Sequence, residues 1–103
     1  MIADTDEIRN LLLRYPDTLV VVDCFAKWCG PCKMIAPQVE QLQNEYNNQI
    51  IVRKVDVDQS PDFAEMCQIG GMPTFLFYKN KKEVKRVVGA NMEAVHHAIQ
   101  SNL

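Results

Sequence analysis

The 103-residue chain predicts a single α/β domain, residues 1–103, built on a mixed central sheet of four to five strands with helices on both faces. Three observations carry this prediction. The run Leu19-Val20-Val21-Val22 continues to Phe25 with no polar alternation, as a central strand covered on both faces does. A helical stretch and a second β-rich stretch follow it, the order of a parallel, right-handed crossover unit. Two further β-prone runs flank the polar residues Lys79-Asn80-Lys81-Lys82, and such a hairpin adds antiparallel pairing to the sheet.

Taken in order, Thr5 or Asp6 is placed to cap a first helix. Its apolar positions Ile8, Leu11, Leu12 and Tyr15 follow helical spacing, and Pro16 ends it. Leu19–Phe25 is the central strand, in which the carboxylate of Asp23 is out of character. After Trp28-Cys29-Gly30-Pro31-Cys32 comes a second helix with Ile35, Val39, Leu42 and Tyr46 along one stripe. Pro31 suits a first helical turn, whereas Pro37 lies in the interior, removes a hydrogen bond and is expected to kink the helix. Residues 50–57 form the next strand, and a short helix covers Pro61 to Cys67. Gly70-Gly71-Met72-Pro73 then breaks the chain before the hairpin strands Thr74–Tyr78 and Glu83–Val88, whose loop lacks the glycine that tight turns favour. Asn91 caps a last amphipathic helix carrying Met92, Val95, Ala98 and Ile99. No repeat, low-complexity tract or linker interrupts this order.

Composition narrows the function. With 48% hydrophobic and 23% charged residues the balance is that of a globular protein. Eleven Lys and Arg against thirteen Asp and Glu leave a charge of −2, too near zero for an electrostatic grip on nucleic acid or anionic membrane, and neither is expected as a partner. Leu19–Val22, the longest apolar run, is too short to cross a bilayer, and the first seven residues have neither the basic start nor the apolar core of a signal peptide. The expectation is a soluble protein of a reducing compartment. There, two cysteines three apart mean redox chemistry or metal; the four at 24, 29, 32 and 67 are too few and too uneven for a disulfide scaffold.

A Cys-x-x-Cys pair where a strand gives way to a helix sets the first sulfur beside unsatisfied helix N–H groups and the positive end of the dipole. Those groups favour thiolate over thiol, which makes Cys29 the nucleophile. Cys32, one turn on, can close an intramolecular disulfide and is expected to see less solvent and less of the dipole. Cys29 would attack a substrate disulfide and Cys32 would then attack Cys29 to release the reduced product. Gly30 lets a partner's backbone approach, and Pro31 fixes the turn and withholds an N–H, tuning dithiol against disulfide. On spacing alone zinc is an equal reading. It needs four ligands, however, and the remaining candidates Cys24, Cys67, His96 and His97 are not paired at ligand spacing.

These residues, with Val22-Asp23, Ala26-Lys27-Trp28-Cys29-Gly30-Pro31-Cys32-Lys33, Pro37, Lys54-Val55-Asp56-Val57-Asp58, Gly71-Met72-Pro73-Thr74 and Val88-Gly89-Ala90, resemble the thioredoxin family over nearly the whole chain. The resemblance favours that family over glutaredoxins and protein disulfide isomerases, and it implies the thioredoxin fold. It implies a cis Pro73 lying against the active cysteines, where sequence alone would favour trans. Met72 would offer its backbone to an extended substrate segment, and Trp28, Gly71, Met72, Pro73, Gly89 and Ala90 would form a flat, weakly polar docking surface. Asp23, costly to ionise in a covered strand, is expected to have a raised pKa and to accept a proton from Cys32 directly or through water; the alternative is a strand-end carboxylate reaching solvent. Lys54 matches the family's partner of that carboxylate, though alone it would read as a surface lysine.

The function implied is that of a general protein disulfide reductase in cell redox homeostasis, needing no bound cofactor or metal. Electrons would come from NADPH through thioredoxin reductase, and targets would include ribonucleotide reductase, peroxiredoxins and methionine sulfoxide reductases. A cytoplasmic monomer is expected, with passage into the nucleus left open. A disulfide oxidase or isomerase and a binding module without turnover are the alternatives. Three departures stand against the family pattern. The first strand is reduced to at most Met1-Ile2-Ala3, Phe25 stands where many bacterial members have Trp, and Cys24 replaces a common aromatic and reads as a core thiol. Cys67 matches an extra cysteine of animal cytosolic members and reads either as a regulatory thiol or as an inert helix-end one.

Overall fold

The computed structural model describes residues 2–103. The chain runs α1 (Thr5–Arg14), β1 (Leu19–Phe25), α2 (Gly30–Glu45), β2 (Ile50–Asp56), α3 (Pro61–Met66), β3 (Thr74–Lys79), β4 (Lys82–Val88) and α4 (Met92–Asn102). The four strands lie in the order β2-β1-β3-β4; β1 pairs parallel with β2 and antiparallel with β3, and β3 pairs antiparallel with β4. In place of a fifth strand, Ile2 makes an isolated parallel bridge to Lys54 and the Ala3 N–H donates to the Lys54 carbonyl at 2.7 Å. Met1, the start of the reduced first strand, lies outside the described residues.

Every residue of β1 is buried, so the absence of alternation has its expected cause. Period-two geometry sorts its side chains. Leu19 and Val21 join Ile50, Val52, Phe75 and Phe77 under the Ile35-Val39-Leu42 stripe of α2 and the Val95-Ala98-Ile99 stripe of α4. Val20, Val22 and Cys24 join Val55, Leu76 and Tyr78 under Ile8 of α1 and Phe63 of α3. Asp23 is the next residue in the first of these rows, so it faces the α2 side of the sheet.

Two local details differ from the sequence reading. The cap of α1 is Asp4, not Thr5 or Asp6. The Asp4 side chain accepts from the Glu7 N–H at 2.9 Å and Glu7 accepts back from the Asp4 N–H, a reciprocal capping box that neither alternative could form with Ile8 or Arg9 three residues on. The hairpin is also tighter than expected. Lys79 pairs with Lys82, leaving Asn80 and Lys81 as a two-residue turn with φ of 55° and 67°. Two successive positive φ values are the mark of the I′ turn that matches strand twist. Asn tolerates this region; Lys does not, and its Cβ meets the following carbonyl. Lys81→Gly is therefore expected to stabilise the fold by about 1 kcal/mol, read as a higher urea midpoint at unchanged slope.

Candidate active site

At the carboxyl end of β1, Phe25, Ala26, Cys29 and Cys32 form a separate buried cluster, against which Val57 and Met72 pack. The chain leaves the sheet at Phe25, turns through Ala26–Trp28 and enters α2 with Cys29 as its N-cap. A cap residue is where a side chain meets unpaired N–H groups, and here the acceptor is sulfur: the Cys32 N–H donates to Cys29 Sγ at 3.2 Å. Pro31 sits in the first turn, where its missing N–H leaves no intrahelical bond unmade, and the helix continues through Pro37. Cys29 and Cys32 are joined by a disulfide with their Cα atoms 5.3 Å apart.

The expected contrast in exposure between the two sulfurs is not present at residue level, since Cys29 is 5% and Cys32 7% accessible. Their neighbours distinguish them instead. Cys29 Sγ stands 3.7 Å from the Met72 carbonyl oxygen, at the rim of the turn that carries exposed Trp28. Cys32 lines a cavity of about 280 Å³ whose other walls include Phe25, Ala26, Ala36 and Lys54.

The Met72–Pro73 peptide is cis. It is held by two bonds: the Gly89 N–H donates to the Pro73 carbonyl at 2.8 Å, and Thr74 Oγ1 donates to the Gly71 carbonyl at 2.5 Å. Gly89 has φ of 105°, a conformation that a side chain would strain, so glycine is required where β4 turns past the proline. Cys29 and the Met72 carbonyl thus meet beside the cis proline, with Gly71 bonded to Thr74, Gly89 bonded to the proline itself and exposed Trp28 next to Cys29 in the chain. Ala90 and Gly30 are exposed beside it.

Asp23 is 3% accessible, and among the described residues its Oδ1 has no hydrogen-bond partner. Burial pushes its pKa from 3.8 to about 6, against the opposing pull of the Lys54 charge. Solvent does not reach it as a strand-end carboxylate would be reached. Lys54 is its register neighbour on β2 and shares its face of the sheet with Ile50 and Val52. Among the described residues, however, the two side chains do not form an ion pair. The Lys54 ammonium lies 4.6 Å from the centre of the Phe25 ring, a cation–π contact between two residues that line the Cys32 cavity. Lys54 therefore acts on Asp23 through space, not by contact.

The other cysteines are elsewhere. Cys24 is wholly buried in the cluster beneath α1 and α3, and burial raises its pKa strongly. Cys67 caps the end of α3 beside that same cluster, half-buried, with its Sγ 3.6 Å from the Tyr78 hydroxyl. Both lie away from the Cys29–Cys32 cluster, so the sulfurs do not converge into the four-ligand set a structural zinc needs.

Three residues that shape the site, Asp56, Asp58 and Val88, carry the family resemblance in the sequence but receive no role from it. Asp58 accepts the Trp28 indole N–H at 2.9 Å, and its own N–H donates to Oδ1 of buried Asp56 at 2.9 Å. The Asp-x-Asp pattern after a strand is an Asx-turn signal that could have marked the second bond; the first joins residues 30 apart and is visible only in three dimensions. Val88, 64% accessible, is the nearest atom group to the space a side chain at Gly71 would fill, at 3.7 Å. It adds an exposed apolar edge beside Gly71.

Known proteins are similar to this chain in architecture and in sequence. The family model described as Thioredoxin matches residues 2–101. Thioredoxin-2 of Saccharomyces cerevisiae is 53% identical over 87 residues, covering 84% of this chain and 83% of that protein. Thioredoxin-1 of Schizosaccharomyces pombe is 42% identical over 102 residues, 99% of this chain and 96% of the relative. The X-ray structure of Fasciola hepatica thioredoxin superposes with a TM-score of 0.94 at 40% identity, covering 99% of this chain and 98% of that one. With a disulfide-forming pair at the N-terminus of α2 and this similarity over almost its whole length, the chain belongs to the thioredoxin family and is a disulfide oxidoreductase that works by dithiol–disulfide exchange through Cys29 and Cys32.

Proposed function

We propose that the chain is a general reductase of protein disulfides, kept reduced by electrons from NADPH through a thioredoxin reductase. The observation that carries this reading is the placement of Cys29 Sγ 3.7 Å from the backbone carbonyl of Met72, beside exposed Trp28 and Val88. An extended substrate segment can pair with the Met72 backbone whatever its sequence, and this brings its disulfide to Cys29. The surface is small and apolar, which suits brief contact with many partners.

In the dithiol form, the Cys32 N–H and the N-terminal end of α2 stabilise the Cys29 thiolate. The thiolate attacks one sulfur of the substrate disulfide; an S–S bond forms to Cys29 as the substrate's own S–S bond breaks, and the distal substrate sulfur leaves as thiolate. Cys32 gives up its proton to Asp23, directly or through water in the adjoining cavity. Its thiolate then attacks Cys29 Sγ, closing the intramolecular disulfide and releasing the second substrate thiolate. Two electrons pass to the substrate, and the Cys29–Cys32 disulfide awaits reduction. Gly30 and Pro31 set the turn between the sulfurs, and Lys54 moderates the basicity of Asp23.

Ribonucleotide reductase, peroxiredoxins and methionine sulfoxide reductases are the classes of target this chemistry suits, since each forms a disulfide in turnover. The proposed setting is the cytoplasm and the proposed state a monomer. Insulin tests the reading: with NADPH and a thioredoxin reductase, catalytic amounts of the protein should precipitate the reduced insulin B chain while NADPH is consumed in step with disulfides reduced. NADPH oxidation without insulin reduction would overturn the assignment of protein disulfides as substrates.

A further inference from the structure

Arg86 on β4 makes four hydrogen bonds with one planar group. Its Nε and Nη2 hold the two oxygens of Glu83 at 2.8 and 2.9 Å, Nη2 also donates to the Cys67 carbonyl at 2.8 Å, and Nη1 donates to the Gln68 carbonyl at 3.4 Å. The carboxylate fixes the guanidinium plane and the remaining edge grips the end of α3. That helix has no basic residue in its last turn; its Phe63, Ala64 and Glu65 carbonyls accept from the Cys67, Ile69 and Gln68 N–H groups, and the two carbonyls that follow, of Cys67 and Gln68, take their donors from Arg86 on β4.

The gripped end of α3 leads directly into the loop beside the active cysteines. Gln68 has φ of 54°, and from it the chain runs through Ile69, Gly70 and Gly71 to Met72, whose carbonyl faces Cys29. A side chain at Gly70 would have no atom within 4 Å, and at Gly71 only Val88. The loop therefore has little side-chain packing of its own beyond half-buried Ile69. Its course is set by its ends: at one, the Cys67, Gln68 and Ile69 N–H groups bond back onto the Phe63, Glu65 and Ala64 carbonyls and Arg86 grips the Cys67 and Gln68 carbonyls; at the other, the Thr74 and Gly89 bonds hold Gly71 and Pro73. The strand that carries Arg86 continues into Val88 and Gly89, which adjoin the same loop at its other end, where Val88 pairs with Thr74 and the Gly89 N–H bonds the Pro73 carbonyl. Arg86 thus adds a second tie between β4 and this loop, at its α3 end.

We infer that Arg86, held by Glu83, is a positioning residue for protein substrates: it anchors to β4 the start of the loop whose other end is Met72, and so governs how well an extended segment docks. The inference rests on the docking role given to Met72 above. It predicts an effect on KM rather than on the exchange chemistry.

Arg86→Met keeps the aliphatic stem and deletes the fork. In the insulin assay its KM should rise about three- to tenfold with kcat within about twofold, and the loss should be larger for insulin than for a small aromatic disulfide. Arg86→Lys, which retains a donor but cannot grip carboxylate and carbonyls together, should recover part of the loss, and Glu83→Gln should give a smaller rise of the same kind. Backbone amide shifts in Arg86→Met should spread from Cys67 through Gly71 to Met72. Should Arg86→Met not fold, Glu83→Gln carries both measurements. Shifts that stop at Gln68 with KM unchanged overturn the inference, as does a fall in kcat at constant KM. Shifts that reach Met72 without a change in KM instead reject Met72 as the docking backbone, and the inference with it.

Discussion

Cys29→Ser should have no turnover above the uncatalysed background, and Cys32→Ser should stop after half a cycle. The two outcomes differ because the two sulfurs have different neighbours, although both are nearly buried. Cys29 caps α2, receives the Cys32 N–H and faces the Met72 carbonyl, so it meets an incoming disulfide; a serine hydroxyl in that place cannot ionise near neutral pH and is not a leaving group for exchange. In Cys32→Ser the first attack proceeds and the mixed disulfide between Cys29 and substrate persists for want of a resolving thiolate. Non-reducing electrophoresis and intact mass should find it in stoichiometric amount, released by added dithiol. Residual turnover in Cys29→Ser, or a mixed disulfide trapped on Cys32 in that variant, would reverse the assignment of nucleophile and resolving thiol.

The features legible in the sequence and those hidden from it divide on physical grounds. Leu19–Phe25 is legible as a central strand because a strand covered on both faces must be apolar throughout, and that leaves a one-dimensional trace. The Cys29–Cys32 pair is legible because strand, turn and helix N-terminus are contiguous in the chain. Asp4 escapes notice as a cap because Asp, Thr and Asp stand in succession and residue type does not choose between them; only the reciprocal acceptor at Glu7 does. The Asn80-Lys81 turn reads as a longer loop because lysine at positive φ opposes its own local preference, and the pairing of β3 with β4 overrides it. The course of Lys54 is the least accessible of all. Register places it beside Asp23, but a long flexible side chain can reach several partners, and the Phe25 ring holds its ammonium. Asp58 and Arg86 act across 30 and 19 residues of sequence, where no local pattern records the contact.

Asp23→Asn should make the protein both more stable and slower, each with its own pH dependence. Burial raises the folded-state pKa of Asp23 from 3.8 to about 6, so between these values the native state binds more protons than the unfolded chain. Stability then falls as pH rises, the reverse of a carboxylate engaged in a salt bridge. The cost is absent below about pH 4, grows through the window up to about pH 6 and is constant above it, at about 3 kcal/mol by linkage. An amide of the same shape carries no such cost. Asp23→Asn should accordingly gain as much as about 3 kcal/mol at pH 8, roughly 10 °C or more in thermal midpoint for a domain of this size, and little at pH 4. Catalysis should move the other way. Without the carboxylate the Cys32 proton must go to bulk water, so resolution of the mixed disulfide slows most near pH 7 and least near pH 9, where a thiol ionises unaided. The paired measurement separates the two roles the carboxylate could have. A gain in stability with an unchanged pH–rate profile would leave Asp23 a buried liability outside the mechanism, whereas a difference in stability between Asp23→Asn and the parent that is the same at pH 4 and pH 8 would mean that the carboxylate is not held in the raised state at all.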